Sequence, residues 1–284
     1  MMGTLYVIGT PIGNMEDITL RQLETFRNVD FICAEDTRVT LKLLSRYDIH
    51  KPLVSYHEHS GREVADRITE RILNGENAGV VTDAGMPCIS DPGENLVKIC
   101  YEKNIDVKVV PGPSAVVSAL AVSGLNTSRF TFEGFLSVTK KQRFEHLESL
   151  KDEKRTMIFY EAPHKLNSTL KDMLEYFGDR KISICRELTK IYEEVLRMTI
   201  SEAIEYYSIK SPKGEYVLVV EGKQNSEQKS IDINDALKQV ENLVEAGEKP
   251  VNACKAIAKE YGFRKGDLYS TFCKSNQEED SSDE

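Results

Sequence analysis

The first residues with chemical content are carboxylates placed at the ends of strands. Residues Gly79 to Gly93 read GVVTDAGMPCISDPG. Gly79, Val80 and Val81 have the β-branched character of a buried strand end, which Thr82-Asp83-Ala84-Gly85 breaks with small, turn-forming residues. Pro87, Pro92, Gly85 and Gly93 then fix a long loop. Loops at the carboxyl ends of strands are where open α/β sheets hold ligands. Asp83, Gly85 and Met86 are therefore candidate ligand contacts, against the alternative that Asp83 only caps the turn. Glu35-Asp36-Thr37-Arg38 follows the strand-like NVDFICA (Asn28 to Ala34) and offers acids for proton transfer beside a cation. Its alternative is an N-cap by Asp36 or Thr37 with Arg38 paired locally. Pro111-Gly112-Pro113-Ser114-Ala115 closes a third strand, Val107 to Val110. There Ser114 and Ala115 would let a ligand approach the start of the next helix.

These loops need a frame, and hydrophobic periodicity supplies one. TLYVIG (Thr4 to Gly9) is a strand that leads through Gly-Thr-Pro-Ile-Gly-Asn (Gly9 to Asn14) into a helix carrying Leu20, Leu23 and Phe26. This loop is neither a dinucleotide nor a Walker loop, because the glycine spacing fails and Pro11 lacks the N–H that a phosphate would want. Helix is expected over Leu41 to Tyr47, strand over Pro52 to Tyr56 and an amphipathic helix over Arg62 to Leu73, with Gly75 ending it. His57 and His59 form an HxH pair without a third ligand, so the loop is read as lying near a substrate and no metal is expected. After the organising loop, Glu94 to Lys103 is helical. Val116 to Val122 is helical and apolar nearly all round, which implies burial.

Gly124 to Ser128 is a small, polar break that suits a domain boundary. Beyond it, strands Phe130 to Glu133, Thr156 to Tyr160, Lys181 to Cys185 and Tyr216 to Glu221 alternate with helices near Arg143 to Leu150, Leu166 to Tyr176 and Ser201 to Tyr207. Both halves are thus α/β. Residues 223–230 read as a polar linker. From Ile231 the pattern is helical, with a turn at Gly262-Phe263 and a helix over Asp267 to Phe272. Lys249, Lys255, Lys259, Arg264, Lys265 and Lys274 make its second half basic, in the manner of a helix-turn-helix, although a packing or dimerisation appendage fits the same pattern. Residues 275–284 read as a disordered acidic tail.

At 284 residues, 40% apolar and 29% charged, the chain has globular composition and room for two domains. No apolar run nears the ~20 residues that span a bilayer, and no basic leader precedes the first strand, so the cytoplasm is expected. The six cysteines show no ligand spacing and read as free thiols. A net charge of −9 argues against a surface uniformly attractive to nucleic acid, yet five of the acids (Glu278, Glu279, Asp280, Asp283, Glu284) lie in the tail, and a local basic patch remains open.

TPIGN, AEDTR, TDAGMPCISDPG and PGPSA occur in the order and spacing of the tetrapyrrole methylase superfamily, and the chain resembles its branch that methylates ribosomal RNA. Glu133-Gly134-Phe135-Leu136, Phe159-Tyr160-Glu161-Ala162-Pro163-His164 and Arg186-Glu187-Leu188-Thr189-Lys190 with Glu193-Glu194 extend the match over residues 3–222. Ser137, where proline is usual, and Lys165, where arginine often follows the histidine, depart from the pattern. The resemblance implies two α/β domains of tetrapyrrole methylase type, residues 1–123 and 124–224, with a cofactor cleft between them, followed by a helical module over 231–274. It implies S-adenosylmethionine as methyl donor, a cytidine ribose 2′-hydroxyl of small-subunit rRNA as acceptor, and a homodimer. Pro11, Asp83, Gly85, Met86, Ser114, Ala115, Tyr160, Leu188 and Glu215 are the expected cofactor contacts. Asn14, His57 and His164, with the basic Lys255, Lys259, Arg264 and Lys265, are the expected substrate contacts. Glu35, Asp36, Arg38 and Lys190 are the expected catalytic group, with Glu161 as a further candidate base. Two other readings stay open: tetrapyrrole C-methylation, and a non-catalytic RNA- or protein-binding scaffold that merely keeps the cleft.

Overall fold

A computed structural model describes residues 2–224 and 231–280, with side chains described through Lys274. The polar stretch 225–230 and residues 281–284 lie outside the described residues. The chain divides into two units, 1–223 and 224–284.

The first unit holds two five-stranded sheets. One is wholly parallel and contains β1 (Thr4–Ile8), β2 (Phe31–Ala34), β3 (Leu53–Ser55), β4 (Ala78–Val81) and β5 (Asp106–Val110) in the order β3-β2-β4-β1-β5. Every residue of β2 and β4 is buried, as expected for strands covered on both faces. The covering helices are α1 (Leu20–Asn28), α2 (Thr37–Arg46), α3 (Arg62–Leu73), α4 (Glu94–Glu102) and α5 (Ala115–Ser123). A capping box of Thr19 and Gln22 starts α1. The buried Gln22 amide also donates to the Gly9 carbonyl at 2.5 Å, tying the helix to the loop after β1.

The second sheet is mixed. It contains β6 (Phe130–Phe135), β7 (Thr156–Glu161), β8 (Lys181–Arg186), β9 (Glu194–Thr199) and β10 (Tyr216–Val220) in the order β6-β7-β10-β8-β9, and only the β6–β7 pair is parallel. With it come α6 (Lys140–Leu150), α7 (Leu166–Phe177) and α8 (Ile200–Ile209). The last strand, β10, lies in the middle of the sheet and is buried throughout. Strand β6 continues past Glu133 through a register shift between Phe132 and Gly134. Strand β9 has no counterpart in the sequence reading. It is an edge strand whose residues are nearly all half-buried, so its apolar and polar positions do not alternate clearly.

Helix α5 packs against β10, β8 and β9, and Val116, Ala119 and Leu120 join Ile158, Cys185, Val217 and Val219 in one core cluster. The expectation that α5 is buried all round is corrected here. Val117 is 57% and Val122 40% exposed, because the second sheet covers one face only.

The second unit contains α9 (Ile233–Glu245), α10 (Pro250–Tyr261) and α11 (Lys265–Asp280), packed through Leu237, Val240, Cys254, Ile257, Leu268 and Phe272. Gly262 ends α10 in the left-handed conformation (φ 79°). Helix α11 begins two residues before the expected start and runs through Asp280, into the stretch read from sequence as a tail. Among the described residues no helix is long and apolar enough to cross a membrane.

Candidate active site

The loops that follow the first sheet's strands are laced to one another. Thr10 and Gly85 exchange backbone hydrogen bonds at 2.9 and 3.1 Å, joining the loops after β1 and β4. Gly9 and Gly112 approach so closely that a Cβ on Gly9 would lie 2.7 Å from Gly112 Cα and 2.8 Å from Met86 Sδ. The Gly112 N–H donates to that sulfur at 3.3 Å, so Met86 holds the loop after β5. The loop 85–93 itself turns through left-handed residues at Gly85, Cys88, Ser90 and Gly93. For Cys88 (φ 70°) and Ser90 (φ 61°) that conformation costs energy, and such residues concentrate at ligand sites.

The second sheet contributes a comparable turn, in which Glu187 (φ 51°) and Thr189 (φ 65°) are also left-handed. It meets the loop after β1 at Gly13, where a Cβ would lie 2.5 Å from Lys190 Cγ and 3.0 Å from the Leu188 carbonyl oxygen. Gly134 meets Ser90 in the same way, its notional Cβ 3.3 Å from the serine Oγ. Only glycine permits the first of these approaches.

Between the two sets of loops lies a cleft of about 380 Å³. Ile12, Ala115, Phe135, Tyr160, Leu188 and Val217 give it apolar walls, and Glu35, Asp83, Asp91, Glu161 and Glu215 give it carboxylates. Phe132 and Phe135 flank the Tyr160 ring at 5.0 and 5.4 Å. A side pocket of about 240 Å³ adjoins the cleft, sharing Ile12, Thr82, Asp83, Ala84 and Glu215 and adding Pro11, Gly13, Met15 and Lys190. Cavities of this size with few convergent polar groups are typical of small-molecule sites.

The acids differ in what holds them. Thr82 Oγ1 donates to Glu35 Oε2 at 2.6 Å, and the Asp83 N–H lies 3.4 Å from the same oxygen. Asp83 in turn accepts from the Asp36 N–H at 3.1 Å. Burial raises the Asp83 pKa, with the charges of Glu35 and Asp36 adding to it. Asp91 is pushed up to about 6, first by burial and then by the charge of Glu35. Asp36 is the opposite case: its hydrogen bonds to Arg38 lower it to about 2. It caps α2 and pairs with Arg38 at 2.6 Å, while Arg38 itself extends into solvent. Burial pulls the Lys190 ammonium down, but its hydrogen bonds to Glu215 (2.9 Å) and Glu187 (3.0 Å) outweigh that and keep it protonated. Glu161 accepts from Thr169 Oγ1 at 2.5 Å and from the Ala162 N–H at 2.8 Å.

Of the expected cofactor contacts, Asp83, Ala115, Tyr160, Leu188 and Glu215 line the cleft and Pro11 lines the side pocket. Gly85 and Met86 act one layer back, through the contacts above. Ser114 caps α5 without a side-chain hydrogen bond. Glu35 lines the cleft, whereas Asp36 and Arg38 form the ion pair at the start of α2. His57 lines a neighbouring chamber. Its ring meets His59 edge-on at 6.3 Å, and among the described residues no group of three or more His, Cys, Asp or Glu is arranged to hold a metal. His164 is exposed beside the cleft-lining Pro163. Asn14 caps the turn Met15–Asp17 by accepting from the Glu16 N–H at 3.0 Å. Lys255, Lys259, Arg264 and Lys265 are exposed on the second unit. Asp91, Ser90 and Phe135 were not singled out from sequence. Asp91 stood inside the loop already noted, but a Ser-Asp-Pro-Gly run reads as turn chemistry.

The carboxylates and apolar walls suit a cation-bearing, partly apolar ligand such as S-adenosylmethionine. Asp83, Tyr160 and Glu215 would hold its polar ends, and Ile12, Ala115 and Leu188 would shield its sulfonium.

The family model for tetrapyrrole (corrin/porphyrin) methylases matches residues 4–204. The protein named ribosomal RNA small subunit methyltransferase I of Halalkalibacterium halodurans is 45% identical over 273 residues, covering 95% of this chain and 94% of its own. Its namesake in Thermotoga maritima is 50% identical over 223 residues, 78% of this chain and 100% of its own. Among solved structures, a diphthine synthase superposes with a TM-score of 0.58 at 14% identity, covering 77% of this chain and 89% of its own. The uroporphyrin-III-C-methyltransferase of Thermus thermophilus superposes with 0.55 at 17%, covering 76% and 94%. The match to the family model and the extent of these identities establish that the chain belongs to the tetrapyrrole methylase family.

Proposed function

We propose that the protein is a cytoplasmic S-adenosylmethionine-dependent methyltransferase that modifies small-subunit ribosomal RNA at the ribose 2′-hydroxyl of a decoding-centre cytidine. The observation that carries the reading is the cleft where the strand-end loops of both sheets converge, in a chain so close to relatives named for rRNA methylation. Bound there, the donor supplies an electrophilic methyl group. Asp83 and Glu215 anchor its polar ends, the apolar wall excludes water, and Lys190, held protonated by two carboxylates, fixes the turn that closes the site. A ribose hydroxyl needs a base, which the raised carboxyls of the cleft can provide. Tetrapyrrole methylation needs no such base, and the basic residues clustered between Lys249 and Lys274 favour an RNA acceptor.

The second unit serves RNA binding in this reading. The Thermotoga maritima relative is matched along its whole length by 223 residues of this chain, which supports a catalytic core that ends near the first unit's boundary. A homodimer is supported by the exposed edge strand β5, where Val107 and Val109 are 38% and 55% exposed, and by Val117 and Val122 on α5.

Small subunits from cells lacking the gene, incubated with the protein and labelled S-adenosylmethionine, should gain one methyl group on a cytidine ribose by mass spectrometry of the rRNA. Label absent from rRNA, or found on a base, would sink the assignment. Sedimentation that finds only a 32.1 kDa species at micromolar concentration would remove the dimer.

A further inference from the structure

We infer that the acceptor nucleoside enters a second chamber beside the cleft, and that Asp91, on the wall the two share, takes the hydroxyl proton. The inference rests on the methyl-transfer reading above and adds to it the place of the acceptor and the identity of the base. The chamber measures about 570 Å³, larger than the cleft, and is lined by residues that include Tyr56, His57, Ser60, Asn95 and Lys98. Glu35, Ser90 and Asp91 line both spaces. Donor and acceptor atoms must come within about 3–3.5 Å to react. Molecules held in two adjoining chambers can do so only across a wall that both touch, and these three residues are that wall.

Within the wall the roles separate by hydrogen bonding. A hydroxyl has one proton to give and two lone pairs. Thr82 gives its proton to Glu35 at 2.6 Å, which commits the glutamate. Asp91 is the other carboxylate of the wall, and Thr82 acts on it in the sense that favours its ionised, proton-accepting form. Ser90 is left-handed here (φ 61°), and a Cβ on Gly134 of β6 would lie 3.3 Å from its Oγ.

In the reaction the hydroxyl oxygen bonds to the methyl carbon as the carbon–sulfur bond breaks, with its electron pair remaining on sulfur. The hydroxyl proton passes to Asp91 and from there to water. The charged and titratable groups around Asp91 include Glu35 and Asp83 at the strand ends, Cys88 in the same loop, Glu94 and Lys98 on α4, His57 and Glu58 on the loop after β3, and Tyr160 on β7. Burial first, then the charges of Glu35 and Asp83, hold the Asp91 carboxyl at about 6 against the lowering effect of Thr82. An ionised carboxylate of that basicity accepts protons more readily than an ordinary aspartate.

The test uses the full chain with S-adenosylmethionine and small subunits from cells lacking the gene. Asp91→Asn should bind the donor within about threefold of wild type by calorimetry while losing about 10²–10⁴ in single-turnover rate. Asp91→Glu should recover part of that loss. The wild-type rate should rise about tenfold per pH unit up to about pH 6 and then level, a limb that Asp91→Asn lacks. Asn95→Trp, which obstructs the chamber from α4, should weaken subunit binding about tenfold and leave donor affinity unchanged. Asp91→Asn with near-normal rate, tenfold loss of donor affinity in either variant, or unaltered subunit binding by Asn95→Trp would overturn the inference. The Asn95→Trp result decides alone if Asp91→Asn fails to fold. Wild-type protein that methylates no rRNA would instead sink the reading of function.

Discussion

The Thr82 hydroxyl donates to Glu35 at 2.6 Å and so ties the carboxyl ends of β4 and β2 together beneath the cleft. Thr82 is 2% exposed, and its partner is a carboxylate. Thr82→Val keeps the shape and leaves Glu35 without this donor. A hydrogen bond to a charged group contributes about 1.5–3 kcal/mol, so denaturant unfolding should show a loss of that order. A loss below about 0.5 kcal/mol would mean that water replaces the hydroxyl freely.

Asp83 sits at the strand end, and its side chain faces a cavity more than a core. Asp83→Ala should therefore weaken S-adenosylmethionine binding by about one to two decades while the protein stays folded. Unchanged donor affinity in a folded variant, measured by titration calorimetry, would contradict its assignment to the cofactor site.

Asp91 carries a stability cost whose sign can be checked. Its folded pKa, about 6, lies above the ordinary 3.8, so the folded state favours the neutral acid. The favourable contribution is present below pH 3.8 and is lost as pH rises through about 6. At pH 7.5 the ionised group therefore destabilises the fold. Asp91→Asn, neutral at every pH, should be more stable than wild type there by about 1–2 kcal/mol, allowing for solvent screening of a half-buried group. The gain should vanish near pH 4. An equal difference at both pH values would show that ionisation is not its source.

Removing residues 224–284 should leave donor affinity nearly intact, because every residue lining the cleft lies in the first unit. Subunit binding should weaken, and its dependence on salt should flatten as Lys255, Lys259, Arg264 and Lys265 are lost. Filter binding over a salt series measures both. A truncated, folded protein that loses donor affinity and keeps its RNA affinity would reverse the assignment.

Strands with strong β-branched character and loops rich in glycine and proline made the first sheet and its ligand loops readable from sequence, because local propensity and tertiary role agree there. The position of Asp83 at a strand end, lining the cleft, was legible for that reason. Strand β9 was not, since an edge strand with Glu194 and Arg197 among its apolar residues carries little alternation. The exposed side of α5 was hidden because an apolar helix does not declare which neighbour covers it. Asp91 escaped because its basicity comes first from burial and then from Glu35, which is distant in sequence. Lys190 was expected at the site through the family resemblance, while the two carboxylates that keep it charged come from separate turns, one of them at Glu215.

The central place of β10 bears on how the protein is made. The first sheet has all its strands once residue 110 has been synthesised, since β5 is its last and lies at an edge. The second sheet has a gap between β7 and β8 until β10, residues Tyr216–Val220, arrives to bond both. During translation the first sheet can therefore form early, whereas β7 and β8 must wait with open edges for a strand made some thirty residues after β8 ends, roughly two to six seconds of elongation. Those unpaired edges are the point at which a nascent chain would call on a chaperone, and slow codons between residues 186 and 216 would lengthen the exposure.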